Sequence, residues 1–129
     1  MVDIEELASI VVDESISIHK QIGPGLFENV YEAVLAGRLE ARGLAVARQH
    51  PVSLILEGHR FDPAFRVDLL VEGQLVLEIK AVELLSKAHA RQLLTYLRLL
   101  KQPVGLLLNF SQATMKDGIR RLVNDYKPQ

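Results

Sequence analysis

The apolar residues of this chain follow helical, then alternating, then continuous patterns, and each pattern marks an element. Over residues 3–21, Ile4, Leu7, Val11, Ile18 and Ile22 fall near helical spacing, with Asp3 placed as the N-cap. Gly23-Pro24-Gly25 ends that helix, because proline cannot continue it and glycine supplies unusual dihedrals. A second helix is expected from Leu26 to Arg42, with Phe27, Val30, Val34 and Leu35 as its core stripe and Arg42-Gly43 as its stop. From Leu44 to Leu56 the pattern alternates, Val52, Leu54 and Leu56 pointing one way, which predicts a strand. Pro51 lacks an N–H, so the strand is either at a sheet edge or broken there. Glu57-Gly58 is a turn signal, and the strand that starts at His59 is expected to break at Asp62-Pro63.

Two apolar runs, Val67–Val71 and Leu75–Ile79, then flank Glu72-Gly73 as a β-hairpin. Residues 86–101 predict a helix capped by Ser86, with Ala88, Leu93, Leu94, Leu97 and Leu100 supplying apolar surface. Val104–Phe110 is a short continuous apolar run, read as a buried strand beside the hairpin. The tail from Ser111 is expected to turn and then form a short strand or helix around Ile119–Val123. No repeat, low-complexity tract or linker interrupts residues 1–129, which read as one domain. The order α-α-β-β-β-α-β predicts an α/β (α+β) fold, a mixed sheet with helices packed on it.

Composition narrows the chemistry. The 129 residues are 49% hydrophobic and 24% charged, which suits a globular domain with a substantial core. Cysteine is absent, so disulfides, thiolate catalysis and cysteine-ligated zinc are excluded together. No apolar stretch reaches membrane-spanning length and the start of the chain is acidic, so the expectation is a cytoplasmic protein with no membrane partner. A net charge of −1 argues against a nucleic-acid coat protein. The distribution is more telling: residues 1–43 are predominantly acidic and residues 84–129 predominantly basic. The two thirds could attract each other, or the basic one could hold a polyanion.

Against that background the charges of the hairpin stand out. Asp68 interrupts its first strand, and Glu78 and Lys80 its second. Alternation sends Glu78 and Lys80 out of the same face, and burying unpaired charges there costs several kcal/mol, on the order of 2–7 even for a neutral polar group. Asp68 joins that face only if the loop between the strands has an odd residue count, for example Val71-Glu72-Gly73; a two-residue Glu72-Gly73 turn would place it opposite Leu77. With the odd loop, Asp68 and Glu78 can share one divalent cation, and the Ile79 carbonyl can add a ligand. Hard oxygen donors with open positions suit Mg²⁺, which polarises a phosphoryl group and acidifies a bound water. Lys80 would orient or deprotonate that water and offset transition-state charge. The competing reading is an Asp–Lys–Glu salt-bridge cluster.

Two helical motifs offer neighbours. Gly25, Glu28 and Tyr31 open the second helix, where Glu28 and Glu32 share a face and Glu28 is the candidate further carboxylate; the plainer reading is a favourable helix-dipole interaction. On the helix after the hairpin, His89, Gln92 and Tyr96 share one face, while Lys87, Arg91 and Arg98 form a basic stripe. Gln92 could hydrogen-bond a phosphate, a base or the Lys80 amine, with Tyr96 bracing it; an amphipathic helix with a solvated basic side is the alternative. His19, His50 and His59 lack ligand-like spacing and read as structural or surface residues.

Taken together, Gly25/Glu28/Tyr31, Asp68/Glu78/Lys80, Gln92/Tyr96 and the strand Gly105–Phe110 resemble the GxxExxY protein family of the PD-(D/E)XK nuclease-like superfamily. The resemblance covers nearly the whole chain. Val67 stands where the superfamily's name has proline. The resemblance implies a restriction-endonuclease-like core and Mg²⁺-dependent phosphodiester hydrolysis, with Mn²⁺ as a substitute. It implies Asp68 and Glu78 as metal ligands, Lys80 as catalytic, and Glu28 and Gln92 in support. Tyr96, Arg91 and Lys87 are the candidate substrate contacts, DNA the expected substrate, and a homodimer fits so small a domain. The alternative function is a non-catalytic module of the same fold that binds nucleic acid or protein.

Overall fold

In a computed structural model, residues 2–127 are described. Helix α1 (Ile4–Ile22) begins where Asp3 accepts a hydrogen bond from the Glu5 N–H at 3.1 Å and stops at Gly23, whose φ of 78° the preceding residue types would resist. Helix α2 (Glu28–Ala41) starts two residues later than its apolar pattern suggests, because Phe27 is still extended. Strands β1 (Val46–Leu56), β2 (His59–Val71) and β3 (Leu75–Lys80) form the meander, and helix α3 (Lys87–Leu100) follows behind the Ser86 cap. Strand β4 (Val104–Asn109), the single turn α4 (Met115–Gly118) and strand β5 (Ile119–Val123) complete the chain. The tail thus supplies both a helical turn and a strand.

The sheet runs β1-β2-β3-β4-β5, with β3 and β4 parallel and every other pair antiparallel. This is the expected mixed sheet flanked by helices. β1 lies at an edge, where Pro51 is tolerated. Asp62-Pro63 does not break β2; the chain stays extended, and the irregularity appears as a register shift between Val52 and Leu54. A residue without an N–H is acceptable there because β3 partners Leu69–Val71, leaving β1, among the described residues, as the sole strand neighbour of the rest of β2. That same overhang exposes the far end of the β1–β2 ribbon: Ile55, Leu56 and Phe61 are 67%, 48% and 44% exposed. Of the apolar face expected on β1, only Val52 is buried.

Two cores hold the sheet. On one face, α1 and α2 bury Leu7, Val11, Ile18, Tyr31 and Leu35 against Leu69, Leu77, Ile79, Leu106 and Leu108. On the other, Leu93 and Leu97 of α3 pack on Leu70, Val76 and Leu107. Each buried leucine stabilises by about 2 kcal/mol. α3 lies close to the sheet because β4 carries Gly105, where an added Cβ would sit 3.1 Å from the Leu93 and Leu97 side chains. Tyr31 ties the α1–α2 corner to β4: its ring stacks on Phe110 at 4.5 Å, and its hydroxyl donates to the Gly23 carbonyl at 2.7 Å.

Candidate active site

The hairpin register decides where the charges meet. Leu69, Leu70 and Val71 pair with Leu77, Val76 and Leu75, leaving the three-residue loop Glu72-Gly73-Gln74. The odd count is met, one residue later than Val71-Glu72-Gly73; Glu72 and Gly73 both take positive φ, 52° and 64°, to close it. Carried one pair further, that register sets Asp68 opposite Glu78. There the backbone ladder gives way to side chains. The Asp68 N–H donates to Glu78 Oε2 at 2.8 Å, and the Ile79 N–H donates to Asp68 Oδ2 at 2.8 Å. Each carboxylate therefore occupies the backbone position its partner strand would have filled, and β2 parts from β3 at this point.

β1 and α2 complete the cluster. Gln49, across from Asp68, holds φ at 48°, a left-handed conformation costing a non-glycine residue roughly 1–2 kcal/mol. Its amide donates to Asp68 Oδ1 at 3.2 Å and to Glu32 Oε1 at 2.6 Å. Glu32 is 5% exposed, and its other oxygen accepts from Arg48 Nε and Nη2 at 3.2 and 3.1 Å. Glu28, one turn earlier, is exposed. The acidic side chain that α2 brings to the cluster is thus Glu32, with Gln49 and Arg48 as its partners. In the folded helix Glu32 lies among the buried residues Tyr31, Leu35, Ala36 and Leu39, whereas Glu28 sits at the helix mouth.

Glu78 is 4% exposed, and its carboxyl is pushed up to about 7, first by burial and then by the negative charge of Asp68. The Asp68 N–H and the Lys80 ammonium oppose that shift, and Glu32 adds to it. Lys80 leaves the same face as Glu78, half-buried, and among the described residues it forms no ion pair. The salt-bridge cluster is therefore not what the fold builds. Tyr96 stacks on Phe65 at 4.2 Å, and its hydroxyl is pushed up by burial and by the charges of Glu78 and Asp68. Gln92 is exposed on the same flank of α3. Lys87 and Arg91 are exposed roughly 180° and 140° around the helix from Tyr96, and the fold does not bring them to the cluster.

The donor set fits a small divalent cation. Among the described residues no three acidic or histidine side chains converge tightly on one point. Asp68 and Glu78 nevertheless present hard oxygens with surplus negative charge around them. The Phe110 N–H bonds to the Lys80 carbonyl at 2.9 Å, whereas the Ile79 N–H faces Asp68. Since N–H and C=O of one strand residue point to the same side, the Ile79 carbonyl also faces the opening beside β2.

Residues 5–122 match the family model described as the PD-(D/E)XK nuclease superfamily. No curated protein and no solved structure matches the chain.

Proposed function

The chain belongs to the PD-(D/E)XK nuclease superfamily, and on that premise we propose that it is a Mg²⁺-dependent nuclease that hydrolyses phosphodiester bonds in DNA. One observation carries this reading: the β2–β3 ladder opens at two facing carboxylates beside a lysine that, among the described residues, has no ion-pair partner. Asp68 and Glu78 hold the cation, with the Ile79 carbonyl as a backbone donor, and Mn²⁺ substitutes for Mg²⁺. When bound, the cation supplies Lewis-acid polarisation and a more acidic water. Lys80 donates hydrogen bonds to the attacking water and to the phosphoryl oxygens, opposing negative charge as it builds. A water oxygen joins phosphorus, the bridging P–O bond breaks, and the products are a phosphomonoester and a free hydroxyl.

Glu32 and Gln49 act as positioning residues, since the Gln49 amide joins Glu32 to Asp68. Tyr96 walls the site, Gln92 on the same flank meets the substrate, and Lys87 and Arg91 are left as contacts to more distant phosphates. The test is cleavage of labelled DNA and RNA with Mg²⁺ or Mn²⁺. Lys80→Ala is expected to abolish cleavage while leaving circular dichroism and thermal melting unchanged. The reading fails if the wild type cuts neither polymer with either metal and Asp68→Ala leaves calorimetric metal binding intact.

A further inference from the structure

A cavity of about 520 Å³ opens between the C-terminal part of α1 and the loop after β4. That volume lies within the roughly 300–1,000 Å³ typical of sites for small-molecule-sized groups. Ile16, Pro24, Ala113, Met115 and the His19 ring give it apolar walls, and Lys20 and Lys116 stand exposed at its rim. The His19 ring donates from Nε2 to the Gln112 carbonyl at 2.8 Å, which pins the loop to α1 and keeps the walls apart. Among the described residues, neither Lys20 nor Lys116 takes part in an ion pair.

The cavity is joined to the carboxylate cluster through a short series of contacts. The Lys80 carbonyl accepts the Phe110 N–H, the Phe110 ring stacks on Tyr31, and the Tyr31 hydroxyl bonds to Gly23, which lines the cavity. Just beyond Gly23 and Pro24, Phe27 is 83% exposed. It occupies the N-cap of α2 without making a side-chain cap bond, where Ser, Thr, Asp or Asn would stabilise the helix by about 1 kcal/mol. An exposed aromatic ring that does not cap its helix is poor local chemistry, and it lies three residues along the chain from Pro24, which lines the cavity.

We infer that this cavity takes an unpaired nucleotide of a single-stranded nucleic acid. The apolar walls accept the face of a base, Lys20 and Lys116 take the flanking phosphates, and Phe27 stacks the next base. A base inside a duplex is already stacked and cannot enter, and an apolar peptide would leave both lysines without a counter-charge. The choice of a nucleic-acid strand as the anion rests on the nuclease reading; the cavity and its cations do not.

The experiment is fluorescence anisotropy of the full chain in EDTA with a labelled oligothymidylate and with a duplex of equal length, over a salt series. The wild type is expected to bind the single strand more tightly than the duplex. Lys20→Glu with Lys116→Glu is expected to weaken single-strand binding at least tenfold. It should also flatten the log-affinity against log-salt slope by about 1.4, the value for two phosphates at about 0.7 each. Phe27→Ala should cost about tenfold without changing the slope. A duplex preference in the wild type, or an unchanged affinity and slope in the double charge reversal, overturns the proposal. If the wild type cleaves but the Lys20/Lys116 variant binds as the wild type does, the cavity proposal fails alone; if that variant loses binding but the wild type cleaves nothing, the nuclease reading fails alone.

Discussion

Replacing Glu78 by glutamine should make the metal-free protein more stable at neutral pH, at the expense of its chemistry. The amide is nearly isosteric and keeps an oxygen to accept the Asp68 N–H, now at 2.8 Å. What it removes is a charge held where water cannot reach it. The Glu78 carboxyl moves from an ordinary value of 4.5 to about 7 on folding. Between those values the folded state binds the proton more tightly than the unfolded chain. The associated stability is fully present below about 4.5, drains away as pH rises to 7, and is gone above it. At about 1.4 kcal/mol per pH unit the loss comes to about 3 kcal/mol. For a domain this size, that is a melting-temperature difference of roughly 10 °C. Urea unfolding of wild type and Glu78→Gln in EDTA, from pH 4.5 to 8, measures it directly. The two curves should meet at the acid end and separate as pH rises, and saturating Mg²⁺ at pH 8 should restore the wild type alone. Parallel curves would show that the carboxyl is not held charged against burial, and the electrostatic account of the site would fall with them.

Two further substitutions probe the surroundings. Glu32→Ala removes the acceptor shared by Arg48 and Gln49 and should lower metal affinity 10–100-fold, as loss of an outer-shell partner commonly does. Isothermal calorimetry measures this, and an affinity equal to wild type would remove Glu32 from the site. Gly118→Ala places a Cβ 2.1 Å from the Asn109 carbonyl oxygen, a contact with backbone that cannot rotate away. It should destabilise the fold by about 3 kcal/mol in chemical denaturation, and a loss below about 1 kcal/mol would show that α4 shifts freely.

The elements were legible where apolar period and capping residues agreed. Asp3 and Gly23 bound α1 and Ser86 starts α3, because each satisfies backbone groups locally. The first turn of α2 was less legible: Leu26 and Phe27 extend the apolar pattern, yet the backbone there belongs to the corner fixed by the Tyr31 hydroxyl, which also accepts the Leu26 N–H at 3.2 Å. Strand parity alone places Glu78 and Lys80 on one face, whereas Asp68 joins them only through the odd loop that the register Val71↔Leu75 supplies. Glu32 could not be chosen over Glu28 that way, since both lie on the same side of α2. The choice is made by Arg48 and Gln49, 16 and 17 residues away on β1, and helical spacing carries no information about them.

The site also shows why an apolar hairpin carries these charges. From Leu75 to Ile79 every residue of β3 is buried, so the strand is secured by cores on both faces before Glu78 is considered. Glu78 can then be held at a position it destabilises, and Gln49 in a backbone conformation its side chain disfavours, without loosening the sheet. The opening of the ladder follows from the same pair of residues. Leu69↔Leu77 is the last backbone pair, and one step on the Asp68 and Glu78 carboxylates take the N–H groups of Ile79 and Asp68. The parting of β2 from β3 and the surplus negative charge are thus one event. A loop shortened by one residue at Glu72-Gly73-Gln74 would abolish both, because Asp68 would turn to the face of Leu77 and leave Glu78 buried with no partner from β2.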